Sequence, residues 1–132
     1  MQAAIPERDT AKILIVDDDE GVTETFARML RLEGYQVRTA VSAEAGLAQV
    51  KECSPDAIIL DLHMPTLDGL GFLRRLRAAG KRRIPVAIVT GDHFVDAAVS
   101  NELQELGAQV RFKPMWLEDL VGLTQNLLGA TR

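Results

Sequence analysis

The sequence predicts a doubly wound α/β fold, a parallel five-stranded sheet with five helices covering both faces. Three observations carry that expectation. Short runs of branched apolar residues alternate along the chain with amphipathic segments. The runs are continuous, as in strands buried on both faces, whereas a strand with one wet face alternates apolar and polar positions. The connections between them are short, which favours parallel strands joined by helical crossovers.

Taken in order, residues 1–10 (MQAAIPERDT) are polar with one proline and read as a flexible tail. Ile13-Leu14-Ile15-Val16 is the first apolar run and stops at Asp17-Asp18-Asp19. Val22, Phe26, Met29 and Leu30 follow at helical spacing, and Gly34 stands where a helix would stop. Tyr35 to Ala40 is a short strand, and Ser42 is placed to cap a helix running to about Glu52, with Leu47 and Val50 inward. Ala57-Ile58-Ile59-Leu60 is the next buried run and ends at Asp61. The loop Met64 to Gly69 holds strong turn residues and leads into a helix with Leu70, Leu73 and Leu76 inward. Pro85 to Thr90 is a strand, and Asp96 to Leu106 is a helix stopped by Gly107. Val110 to Phe112 is a brief strand, and Trp116 to Leu128 is the last amphipathic helix.

Composition narrows the function classes without choosing one. With 132 residues, 47% hydrophobic and 26% charged, the chain suits one globular domain. It is long enough to bury a core without disulfides or structural metal. No apolar run approaches the ~20 residues of a membrane span, and residues 1–12 lack the apolar centre of a signal peptide. The single cysteine, Cys53, fits a reducing compartment, and a cytoplasmic location is expected. Fifteen Lys and Arg against nineteen Asp and Glu give a net charge of −4, which argues against sequence-independent nucleic-acid binding by the whole chain.

In open parallel sheets the functional site lies beyond the C-terminal ends of the strands. The residues there are Asp17 and Asp18, then Asp61, Thr90 and Lys113. If the first and third strands are neighbours, three carboxylates converge. Their repulsion calls for a hard divalent cation, and oxygen ligands with room for water and phosphate suit Mg²⁺. A metal, a carboxylate, a hydroxyl and an ammonium together describe phosphoryl handling. Asp61, alone at the end of its run, is the candidate nucleophile, and Asp17 and Asp18 are candidate metal-holding groups. Asp17 and Asp19 also fit the plainer role of helix N-cap.

The stretches ILIVDDDE (13–20), IILDLHMPTLDG (58–69), VAIVTG (86–91) and FKP (112–114) resemble the receiver domains of bacterial two-component response regulators, over about residues 11–129. The resemblance implies a flavodoxin-like three-layer sandwich with strand order 2-1-3-4-5. It implies that Asp61 accepts a phosphoryl group from a sensor histidine kinase or phosphotransfer protein. Asp18 and Asp61 would ligate Mg²⁺ by side chains and His63 by its main-chain carbonyl, with Asp17 in the outer acidic pocket. Thr90 would hydrogen-bond the phosphoryl group, Lys113 would pair with it, and the Lys113–Pro114 bond is usually cis in the family. Such a domain is a switch that catalyses only its own phosphorylation and dephosphorylation. One departure is Val110, where the family generally carries the Tyr or Phe of a rotamer switch.

Other features point to surface roles. Arg74, Arg75, Arg77, Lys81, Arg82 and Arg83 read as a solvated basic surface near a helix end, or secondarily as a kinase or partner contact. Trp116 is either packed under the last helix or exposed on a partner face of the fourth helix, fifth strand and fifth helix. His63 and His93 lack zinc-site spacing. His63 and Asp92 occupy variable positions beside the family's active site. The leading expectation is a phosphorylation-dependent signalling switch, stand-alone or cut from a larger regulator, that acts on a downstream protein or missing output domain. A phosphorylation-linked homodimer is compatible with it. The alternatives are a constitutive interaction module with an unused acidic pocket, favoured only by Val110, and a metal-dependent phosphotransferase or hydrolase, for which no GxGxxG or P-loop is present.

Overall fold

A computed structural model describes residues 11–129, so the expected tail at 1–10 lies outside the described residues. The chain alternates β1 (Lys12–Val16), α1 (Glu20–Leu32), β2 (Gln36–Ala40), α2 (Ala43–Cys53), β3 (Ala57–Leu60), α3 (Gly69–Ala78), β4 (Val86–Thr90), α4 (Ala97–Glu105), β5 (Ala108–Phe112) and α5 (Leu117–Gly129). The strands form one sheet in the order β2-β1-β3-β4-β5, and every pairing is parallel.

Successive side chains of a strand point to opposite faces, and the sheet is buried on both. Leu14 and Val16 pack on one face with Val50 of α2, Phe72 and Leu73 of α3 and Leu103 of α4. Ile13 and Ile15 pack on the other with Phe26 and Leu30 of α1 and Leu120 and Leu123 of α5. Each large apolar side chain so enclosed contributes about 1.5–3 kcal/mol. Those two faces are why Ile13–Val16, Ala57–Leu60 and Val86–Val89 are apolar at every position.

Side chains start four of the helices. Asp19 accepts from Val22 N–H (3.2 Å), Ser42 from Ala45 N–H (3.1 Å), Asp68 from Gly71 N–H (2.9 Å) and Asp96 from Val99 N–H (3.0 Å). Gly34, at φ +98, ends α1 as expected, with its N–H on Arg31 O and that of Tyr35 on Leu30 O. β5 starts at Ala108, two residues before the expected position, because an edge strand needs no unbroken apolar run. β2 starts at Gln36, since Tyr35 still belongs to the turn bonded to Leu30.

Arg77 corrects the expectation of a wholly solvated basic cluster. It is 6% exposed, and its guanidinium donates to Leu106 O (2.8 Å), Lys81 O (2.7 Å) and Ile84 O (2.7 Å). Burial lowers its pKa, and Arg82 adds to the effect. Arg74, Arg75, Lys81, Arg82 and Arg83 do lie on the surface. Cys53 is buried and free. Trp116 is 67% exposed, so it is not packed under the last helix. Among the described residues, no helix is long and apolar enough to cross a membrane.

Candidate functional site

The register of β1 against β3 builds the site. Val16 lies opposite Leu60, and Asp61 N–H donates to Val16 O at 2.9 Å. The next residue of each strand therefore enters the same space, and Asp17 comes to rest beside Asp61. Asp17, Asp18 and Asp61 each offer an oxygen, all within 4.8 Å of one another. Asp17 and Asp61 are buried (4% and 8% exposed), while Asp18 faces solvent.

Lys113 arrives from the far edge of the central strands. Thr90 pairs with Phe112, and Lys113 N–H donates to Thr90 O (2.9 Å). The Lys113 ammonium lies 2.9 Å from Asp17 Oδ2 and 3.6 Å from Asp61 Oδ1. The Lys113–Pro114 peptide is cis. Burial opposes the charge on Lys113, but the bonds to Asp17 and the attraction of both carboxylates outweigh it, and its pKa is raised. For Asp61 the balance runs against the charged form, and its pKa is raised. Burial raises its pKa, Asp17 and Asp18 raise it further, and Lys113 and the Leu62 N–H only partly offset them.

The loop after β3 is held close beneath this cluster. Gly69 N–H donates to Leu62 O at 2.8 Å. A Cβ on Gly69 would stand 2.9 Å from Leu62 Cα and collide with the Asp61 carbonyl oxygen, so the close approach requires glycine. Asp19, suspected of being only a cap, is one. Asp17 does more, since it accepts from Asp19 N–H (2.9 Å) and from Lys113. Thr90 is 1% exposed, and its hydroxyl oxygen accepts from Asp92 N–H at 3.1 Å.

Two contacts at the site's rim join residues far apart in the chain. His63 Nε2 lies 2.9 Å from Asp92 Oδ2, bridging the loops after β3 and β4. The rings of His93 and Phe112 stack with centroids 4.8 Å apart and planes 16° from parallel. Sequence spacing carries no signal for either pair. Val110 is half-buried and packs against the α2–α3–α4 side of the core, so no aromatic ring occupies that position. A groove of about 590 Å³ between β5 and α5, lined by Phe112, Met115, Asp119 and Gly122, adjoins Pro114. The chemistry-bearing groups are in the carboxylate cluster and not in this groove.

Three carboxylates and one ammonium leave the cluster short of positive charge. All-oxygen donors at this spacing fit a hard divalent cation, which would relieve the repulsion that raises the pKa of Asp61. An open parallel sheet with an acidic cluster and a lysine at its strand ends defines the flavodoxin-like class of CheY-type domains. The sequence profile described as the response regulator receiver domain matches residues 13–124, and the chain belongs to that family.

Among curated relatives, the transcriptional regulatory protein PrrA of Mycobacterium leprae is 39% identical over 124 residues, which is 91% of this chain and 52% of that protein. The response regulator MprA of Mycobacterium bovis is 36% identical over 93% of this chain and 53% of its own length. The chain thus spans about half the length of the curated relatives it matches. Among solved structures, a CheY-like receiver domain of Methanospirillum hungatei superimposes with a TM-score of 0.84 at 26% identity, covering 92% of this chain and 95% of that one. A receiver domain from Clostridium thermocellum gives 0.80 at 31% identity, covering 91% and 95%. The family belongs to two-component signalling, and its role is signalling more than catalysis.

Proposed function

We propose that this chain is a phosphorylation-dependent switch whose receiver unit spans residues 11–129 and whose phosphoacceptor is Asp61. The observation that carries the reading is the placement of the buried Asp61 carboxylate, against two further carboxylates and within 3.6 Å of the Lys113 ammonium. Asp61 attacks the phosphorus of a phosphohistidine on a sensor kinase or phosphotransfer protein. The P–O bond to Asp61 forms as the P–N bond breaks, and the imidazole leaves with the electron pair. Lys113 pairs with the phosphoryl oxygens, and the Thr90 hydroxyl donates to one of them.

Mg²⁺ held by Asp18, Asp61 and the His63 carbonyl, with Asp17 behind, would neutralise charge on the phosphoryl oxygens. The names of the relatives favour a transcriptional output, borne by further sequence or by another chain. A phosphorylation-linked homodimer is part of the same reading. The enzyme-like activity is confined to the chain's own phosphoryl group.

The test is incubation with Mg²⁺ and a small acyl phosphate, followed by intact mass measurement. The parent chain gains one phosphoryl group that resists acid and is lost in base, and Asp61→Asn gains none. An unmodified parent, or equal modification of the variant, refutes the assignment. A sizing column then compares the two forms for dimerisation.

A further inference from the structure

We infer that the stack of His93 on Phe112 is a latch that holds the β4–α4 loop (91–96) in its resting position and opens when Asp61 carries a phosphoryl group. The inference rests on the phosphoacceptor reading and adds the element that reports it.

Three contacts hold the loop, and each ends on a residue next to the site. Thr90 Oγ1 accepts from Asp92 N–H at 3.1 Å. His63, two residues beyond Asp61, holds Asp92 at 2.9 Å. His93 stacks on Phe112, which pairs with Thr90 in the sheet and immediately precedes Lys113. Within the loop, Asp92 Oδ1 accepts from Phe94 N–H at 2.9 Å, so residues 92–94 move together.

A phosphoryl group on Asp61 strains two of these contacts at once. Thr90 is β-branched and buried, with few rotamers to choose from. Swinging the hydroxyl about χ1 to reach a phosphoryl oxygen moves its oxygen out of line with Asp92 N–H. Asp92 itself brings a carboxylate to this rim, held by Phe94 N–H at Oδ1 and by His63 at Oδ2. New negative charge on the neighbouring strand end repels it. What then opposes movement of the loop is the ring stack, an interaction of about the size that a change at one residue can overcome. Its release carries the 91% exposed Phe94 and uncovers Phe112, already 42% exposed. Pocket occupancy is thereby written on the outer surface without a buried aromatic at Val110.

The test uses the full chain labelled with ¹³C-histidine. There are two histidines, and His93→Gln identifies the His93 ring signal. In the resting chain that signal lies upfield of its position in Phe112→Leu, because the Phe112 ring current acts on it. Mg²⁺ and the acyl phosphate are then added while intact mass follows phosphorylation of the same sample. The upfield displacement is expected to collapse to the Phe112→Leu position as mass is gained. Phosphorylated Phe112→Leu measures the direct effect of the phosphoryl charge, and its change must be the smaller. Mass gain with the His93 signal unmoved, or moved equally in Phe112→Leu, overturns the latch alone. No mass gain overturns the phosphoacceptor reading, and the latch with it.

Discussion

Replacing Asp61 with asparagine keeps the shape of the side chain and removes one of the crowded negative charges. Two carboxylate repulsions disappear, with oxygens no more than 4.8 Å apart. At an effective dielectric near 20, each is about 3.5 kcal/mol. One attraction is lost as well, that of Lys113 at 3.6 Å, about 4.6 kcal/mol on the same scale. The repulsions prevail by about 2 kcal/mol, and relief of the buried charge acts in the same direction. Urea unfolding followed by far-UV circular dichroism, at low salt with a metal chelator, should place the Asp61→Asn variant about 1 M higher in midpoint. The effect has a defined pH dependence. Asp61 titrates above its ordinary 3.8 in the folded chain, so the parent is penalised at neutral pH. That penalty grows as pH rises through the folded pKa and vanishes below 3.8, where the carboxyl is neutral in both states. Adding Mg²⁺ should stabilise the parent more than the variant and narrow the gap. A variant no more stable than the parent in chelator would refute the electrostatic account of the pocket.

Lys113→Met leaves the three carboxylates without their ammonium and should lower stability by about 2–4 kcal/mol in chelator, with the deficit reduced by Mg²⁺ in the same urea assay. Because the Lys113 pKa is raised, its contribution should be complete at pH values below 10.5 and fade as pH rises through the folded pKa. Gly69→Ala forces a methyl group against the backbone of Asp61 and Leu62. It should cost about 1–3 kcal/mol and reduce phosphorylation by acyl phosphate, read by mass, more than Gly122→Ala, whose added Cβ meets nothing within 4 Å. Arg77→Met removes three donors from buried or loop carbonyls and should cost about 3 kcal/mol in the urea midpoint. Arg75→Met, on the exposed surface, should change it little.

The order of elements was legible in the sequence because it depends on local periodicity. Ile13 to Val16 and Ala57 to Leu60 are apolar at every position, and only strands covered on both faces sustain that pattern. The candidate site was legible for a related reason. Carboxylates, a hydroxyl and a lysine stand immediately after the runs that must be strands, and a parallel sheet sends all those ends to one edge. Edge-strand boundaries were less legible, since β5 mixes Ala108, Gln109, Val110, Arg111 and Phe112 and lacks the same signature.

The sequence by itself determined the doubly wound class, the candidate site residues and the turn that ends at Gly69. Tertiary structure alone decided which charges meet. Asp17 and Asp61 share a space because Val16 and Leu60 are in register, and neither strand encodes its partner's offset locally. The same holds for Arg77, whose basic neighbours disguise a guanidinium buried against carbonyls at the end of α4 and in the α3–β4 loop, and for His93 on Phe112 and His63 on Asp92. Periodicity reports which face of an element is covered. It holds no information about side chains that meet across two loops, and in this protein two of those meetings, His63 with Asp92 and His93 with Phe112, lie at the rim of the carboxylate cluster.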